Sequence, residues 1–144
     1  MKTRIIACIA GLIGSFGTLQ AMGHHSFAAE FDANTPVHVT GTVVKVEWTN
    51  PHTYFHLEVE NEAGDYEEWS FEMGSPNGLM RRGWTRNTLP IGTEVIVRGT
   101  RARDGSFKGN VQTVVIADTC QRLFAGTSQR DFSEGDAPKE DCEL

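Results

Sequence analysis

Between Val37 and Ile116 apolar and polar residues alternate with a period of two along most of the chain, the pattern of half-buried strands. The first apolar series is Val37, Val39 and Gly41, followed by Val44, Val46 and Trp48, so its parity slips between Gly41 and Val44. A glycine at such a slip predicts a bulge or strong bend in one long first strand. Asn50-Pro51 ends that strand at a corner, because proline drives the preceding residue out of the helical region. A second strand follows from His52 to Glu60. Phe55, Leu57 and Val59 lie on one face; His52, Tyr54, His56, Glu58 and Glu60 lie on the other. The glycine-containing connection Asn61 to Asp65 predicts a hairpin. A third strand over about Tyr66 to Met73 turns Trp69, Phe71 and Met73 inward. A tight hairpin then sets His56 opposite Ser70, with Glu68 and Glu72 on the diagonals.

The next segment changes character. Ser75 suits a helix N-cap, Pro76 the first helical position and Gly83 the C-terminal cap, which predicts one short helix with Leu79 and Met80 facing the core. Trp84, like Trp69, reads as a core residue. Glu94 to Thr100 predicts a fourth strand. Asp104-Gly105 is a hairpin turn signal, and a fifth strand runs from about Phe107 to Ile116. Asp32 to Pro36, ahead of the first strand, reads as a turn. The expectation is a mainly β fold: a small five-stranded OB-like barrel with one short helix between strands three and four. Another small open barrel or sandwich is the alternative.

Residues 1–23 stand outside this pattern. Lys2 and Arg4 precede an acid-free, mostly apolar run from Ile5 to Leu19. That run is too short and too glycine-rich to span a membrane, and it reads as a secretory signal peptide. Cleavage after Gly23, with Ala21 and Gly23 as the small recognition residues, is preferred to cleavage after Ala21. The barrel domain is then 24–119, and 120–144 is an acidic C-terminal tail. Export to a periplasmic or secreted location makes Cys120 and Cys142 one disulfide most simply, since oxidising compartments favour bridges and no Cys-x-x-Cys spacing suggests zinc.

The 144 residues contain 13 Lys and Arg against 19 Asp and Glu, a formal charge of −6. An acidic domain is repelled by nucleic acid and, once the leader is cleaved, by anionic membrane surfaces. The partner expected is therefore a metal ion or small ligand, or another envelope protein.

Three stretches carry a family resemblance: His24-His25-Ser26-Phe27-Ala28-Ala29-Glu30-Phe31-Asp32; Gly41-Thr42-Val43 running into Glu47-Trp48-Thr49-Asn50-Pro51-His52; and Leu79-Met80-Arg81-Arg82-Gly83-Trp84. The chain resembles an exported bacterial small β-domain family of unknown function across most of its length, the acidic tail excepted. The resemblance implies that His24, His25 and His52 belong to the family's signatures. It implies no activity.

Four of the five histidines fall in the opening segment and the Asn-Pro-His corner: His24, His25, His52 and His56. If His24 becomes the first residue, its amine and imidazole supply two nitrogens, and His52 with His25 or His56 completes the nitrogen-rich square that Cu(II) prefers. The plainer reading makes His52 a corner residue and His56 an ordinary strand residue. His38 lies apart from the cluster. The function expected is a copper-binding exported barrel. The alternative is a ligand-binding or envelope assembly module of OB type, with Trp48 and Tyr54 as its stacking face. No nucleophile elbow, Ser/His/Asp order or phosphate loop stands out, and the alternating acids read as a solvated strand face.

Intact mass of protein recovered from the periplasm checks the leader: the expected chain begins at His24. A start at Met1 would defeat the export reading, and a start at Met22 would remove the terminal chelate.

Overall fold

The structure, a computed structural model, describes residues 27–126. The leader, His24, His25, Cys142 and the acidic stretch from residue 127 onward lie outside the described residues.

A single helical turn, α1 (Phe27–Glu30), leads into a long first strand, β1 (Phe31–Glu47). Strands β2 (Tyr54–Glu60) and β3 (Tyr66–Glu72) form the expected hairpin, with His56 opposite Ser70. A short helix, α2 (Pro76–Met80), precedes β4 (Glu94–Ala102) and β5 (Lys108–Ile116), and a short β6 (Gln121–Phe124) follows. The sheet order is β3-β2-β1-β4-β5-β6, and an additional parallel pairing joins β3 to β5. The first five strands therefore close into a ring of hydrogen-bonded neighbours, and β6 lies outside it.

The strand count differs from the five expected. Gln121–Phe124 falls in the stretch assigned to the tail, and it is too short to show alternation. Its strand state is imposed by β5. The first part of β5 is covered by β3 at Lys108–Asn110, whereas the last part, Thr113–Ile116, offers a free edge that β6 takes.

The parity slip is real: the β1–β2 register shifts between Val43 and Lys45. Gly41 lies just ahead of it, paired with Val95 of β4. A Cβ there would sit 2.6 Å from the Glu58 carbonyl oxygen of β2, so only glycine lets β1 pass this close to β2 while it is paired to β4. The expected turn at Asp32 to Pro36 lies within β1 as an irregularity, where the β1–β4 register shifts between Phe31 and Pro36. Asp32 accepts the Asn34 backbone N–H at 3.1 Å, a local side-chain turn embedded in the strand.

The inward parity matches the alternation except at the bulge, where Val43 is buried and Val44, expected in the inward series, is exposed, because the extra residue falls between Val43 and Lys45. Val43, Phe55, Leu57, Phe71, Met73, Val95, Val97, Val111 and Val114 are completely buried. Phe71 stacks between Phe55 and Trp69, with ring centroids 5.5 and 5.6 Å away. Ser75 caps α2 by accepting the Gly78 N–H at 3.2 Å. Leu79 plugs the core as expected, but Met80 is 52% exposed, because a helix of this length can bury only one side of a turn. Trp84 is buried, and its indole N–H donates to the Phe124 carbonyl at 3.0 Å, which ties β6 to the core.

Gly41→Ala should cost about 2–3 kcal/mol in urea unfolding, the range of an overpacked interior. Val44→Ala, at the exposed bulge, should cost no more than about 0.5 kcal/mol. Equal effects would remove the steric account of Gly41.

Candidate functional site

The corner between β1 and β2 is held by backbone contacts on both sides. The Thr49 N–H donates to the Glu47 carbonyl at 3.1 Å, and the Thr49 hydroxyl to the His52 carbonyl at 3.2 Å. The Asn50-Pro51 peptide bond is cis. Thr53 donates to the Gly74 carbonyl at 3.1 Å and accepts from Met73 N–H at 2.8 Å, so the β2–β3 ladder continues one step past β2. His52 is thereby fixed beside the end of β3.

The His52 Nδ1 lies 3.3 Å from the Met73 carbonyl oxygen and 3.7 Å from Glu72 Oε1. A carbonyl can only accept, so Nδ1 carries the proton in the neutral ring. Nε2 is then the lone-pair nitrogen, the arrangement that orients a histidine toward a metal.

Glu72 is 7% exposed, although it falls on the polar parity of β3. Its Oε2 accepts from the Tyr54 hydroxyl at 2.9 Å. Burial first, then this hydrogen bond and the negative charges of Glu72, Glu30 and Glu47, push the Tyr54 phenol well above its usual value. The Tyr54 hydroxyl is thus committed to its cross-strand partner Glu72 on the outer face, and the ring is not the fully open stacking surface that alternation alone suggests.

His56 sits between two carboxylates. Its Nε2 lies 3.1 Å from Glu47 Oε1 on β1, and its Nδ1 lies 3.2 Å from Glu68 Oε1 on β3. Lys45 also pairs with Glu47, and together they hold the Glu47 carboxyl below its usual range, Lys45 contributing most and His56 next. Only the Nε2 contact is a hydrogen bond; Nδ1 is buried without a hydrogen-bond partner, close to the Glu68 carboxylate, so ligation by His56 requires moving one of the two acids aside. His38 is exposed on β1 opposite Arg98 and takes no part in this group.

Trp48 packs partly on the core and lines a groove of about 490 Å³ with Met80, Trp84 and Arg86. Trp48 and Tyr54, paired in the sequence reading as one stacking face, therefore serve different places. Among the described residues no three His, Cys, Asp or Glu side chains form a metal-holding group. The expected set needs His24 and His25, which lie outside them.

A model described as a family of unknown function, DUF6152, matches residues 13–112. The chain belongs to this family. No curated protein matches significantly. Among solved structures, the chain is similar to the N-terminal domain of the PriB protein from Thermoanaerobacter tencongensis, described as dimeric. The two share 19% identity over 58% of this chain and 96% of that one, with a TM-score of 0.37. Membership thus leaves the chemistry of the DUF6152 chain to be read from its own side chains.

Sequence reasoning passed over Glu47 and the groove walls other than Trp48, and it read Glu72 as solvated. Glu72 carried a misleading signal, since alternation with Glu68 marks a solvated face. Its burial follows from β3–β5 pairing, which sets Asn110 beside it, a contact between residues far apart in the chain.

In alkaline titration followed by phenolate absorbance, Tyr54 should ionise well above the usual tyrosine value of about 10. The fold holds this proton while the unfolded chain releases it from about pH 10, so stability should fall as pH rises from there. Tyr54→Phe should flatten that fall and, by stripping a donor from a buried carboxylate, cost about 1–3 kcal/mol at neutral pH.

Proposed function

We propose that the protein is an exported periplasmic binding domain of OB-barrel type that holds Cu(II) at the Asn50-Pro51 corner. The barrel reading is supported by the closed ring of five strands with α2 between β3 and β4. The observation that carries the metal reading is the His52 ring, whose Nδ1 is occupied by the Met73 carbonyl so that Nε2 is left for a ligand. In this reading His24 supplies its amine and imidazole after leader cleavage, and His25 is the fourth ligand. His56 is the alternative fourth ligand and first has to leave Glu47 or Glu68. The barrel preorganises one imidazole, and the opening segment brings the others. Storage, delivery or sensing fits such a site better than turnover. Cys120 is not a free thiol, and the proposed partner is Cys142.

Copper titration of the mature chain tests the proposal. His52→Ala should weaken binding at least about tenfold, roughly the loss of one ligand, whereas His38→Ala should leave it unchanged. His56→Ala should have less effect than His52→Ala. One residue added before His24 should weaken binding as well, and affinity should drop as pH falls through about 6.5, where protons compete for imidazole. Equal affinity in wild type, His52→Ala and the extended chain would remove the site.

A further inference from the structure

The Trp48 groove is lined by two indoles, a thioether, three carboxamides and one guanidinium. Three separate pieces of chain converge on it. The corner brings Trp48 and Asn50, α2 brings Asn77 and Met80, and the turn after Trp84 brings Arg86 and Asn87. Each piece is held by its own contacts. Ser75 caps α2, and Trp84 is tied to Phe124. The turn is closed by the Thr85 N–H donating to the Thr88 hydroxyl at 2.8 Å and by the Thr88 N–H donating to the Thr85 carbonyl at 3.2 Å.

Asn50, Asn77, Arg86 and Asn87 are exposed, and their side chains make no hydrogen bond or ion pair with another described residue. Neighbours fix their backbone positions, while their polar atoms stay open to a ligand. Among the described residues no carboxylate lines the groove, although the chain carries a formal charge of −6.

We infer that this groove is a binding site for a short acidic saccharide. A sugar ring has an apolar C–H face and a rim of hydroxyls, each able to donate and accept. The groove offers the matching surfaces: an indole and a thioether for the ring face, and three carboxamides that donate and accept at once. Arg86 is the only charged lining group among the described residues, and its planar donor fork suits a sugar carboxylate. A purely apolar ligand would leave these amides unpaired, and a cationic one would meet Arg86. The site uses none of the atoms of His52, so it stands or falls apart from copper.

Binding of a trigalacturonate to the mature chain, followed by tryptophan emission and calorimetry, tests the inference, with a neutral trigalactoside and a short acidic peptide as comparisons. Saturable binding of the trigalacturonate is expected, weaker binding of the neutral sugar, and none of the peptide. Trp48→Ala should weaken trigalacturonate binding about tenfold through loss of the stacking surface. Arg86→Gln should weaken it by a similar factor of about ten while leaving the neutral sugar unaffected. Because Trp48 also packs on the core, the exposed pair Asn77→Ala and Asn87→Ala provides a second test and should weaken both sugars. Tyr54→Phe should change neither. Failure of both sugars to saturate, preference for the peptide, or unchanged affinity in the Arg86 and double-asparagine variants would each overturn the assignment.

Discussion

The short parallel contact between β3 and β5 governs this molecule. Only Ser70–Glu72 and Lys108–Asn110 take part, yet without them the first five strands would be an open sheet. Backbone N–H and C=O groups at a buried sheet edge need partners, and closing the ring pairs the end of β3 with the start of β5, leaving the rest of β5 to β6. The contact requires a glycine. A Cβ on Gly109 would lie 2.8 Å from the Phe71 ring, which stacks between Phe55 and Trp69 at the centre of the core. Packing of one aromatic ring and closure of the backbone ladder are therefore one event.

Closure also sets the chemistry of the outer face. The polar parity of β2 and β3 carries Tyr54, His56, Glu68 and Glu72, and β1 adds Lys45 and Glu47. On an open sheet these would be solvated side chains worth little to stability. Here Glu72 is buried against Tyr54 and His52, so it must be hydrogen-bonded to be tolerated. His56 bonds Glu47 of β1 through Nε2 and places Nδ1 close to Glu68 of β3, while His52 turns one nitrogen to the backbone. Two histidines four residues apart on one parity thus have different capacities for ligation, and what separates them is the neighbours that each strand pairing supplies.

The corner is the second organising feature because it has two sides. On one side it fixes His52 against Met73 and Glu72; on the other it holds Trp48 and Asn50 against α2 and the turn after Trp84. A small domain has few rigid places to mount side chains, and sites on supported elements hold their geometry better than sites on loose loops. Both candidate sites accordingly sit where the corner is pinned by the end of the β2–β3 ladder.

What was legible in the sequence was local in origin. Period-two alternation gave β2 to β5 and their inward residues; the Asn61–Asp65 connection gave the His56–Ser70 register; Ser75 and Pro76 gave the start of α2; and the slip at Gly41 gave the β1 bulge. Each rests on residues near one another in the chain, where periodicity, capping and turn chemistry act. The sixth strand, the burial of Glu72, the exposure of Met80 and the parting of Trp48 from Tyr54 were not legible. These depend on which distant segment covers a given face: β5 beside β3, β6 beside β5, and the turn after Trp84 beside the corner. The sequence by itself determined the alternating faces of β2 to β5 and the turns that join them. Tertiary structure alone decided which polar residues share a neighbourhood, because alternation specifies a face and closure specifies what that face meets.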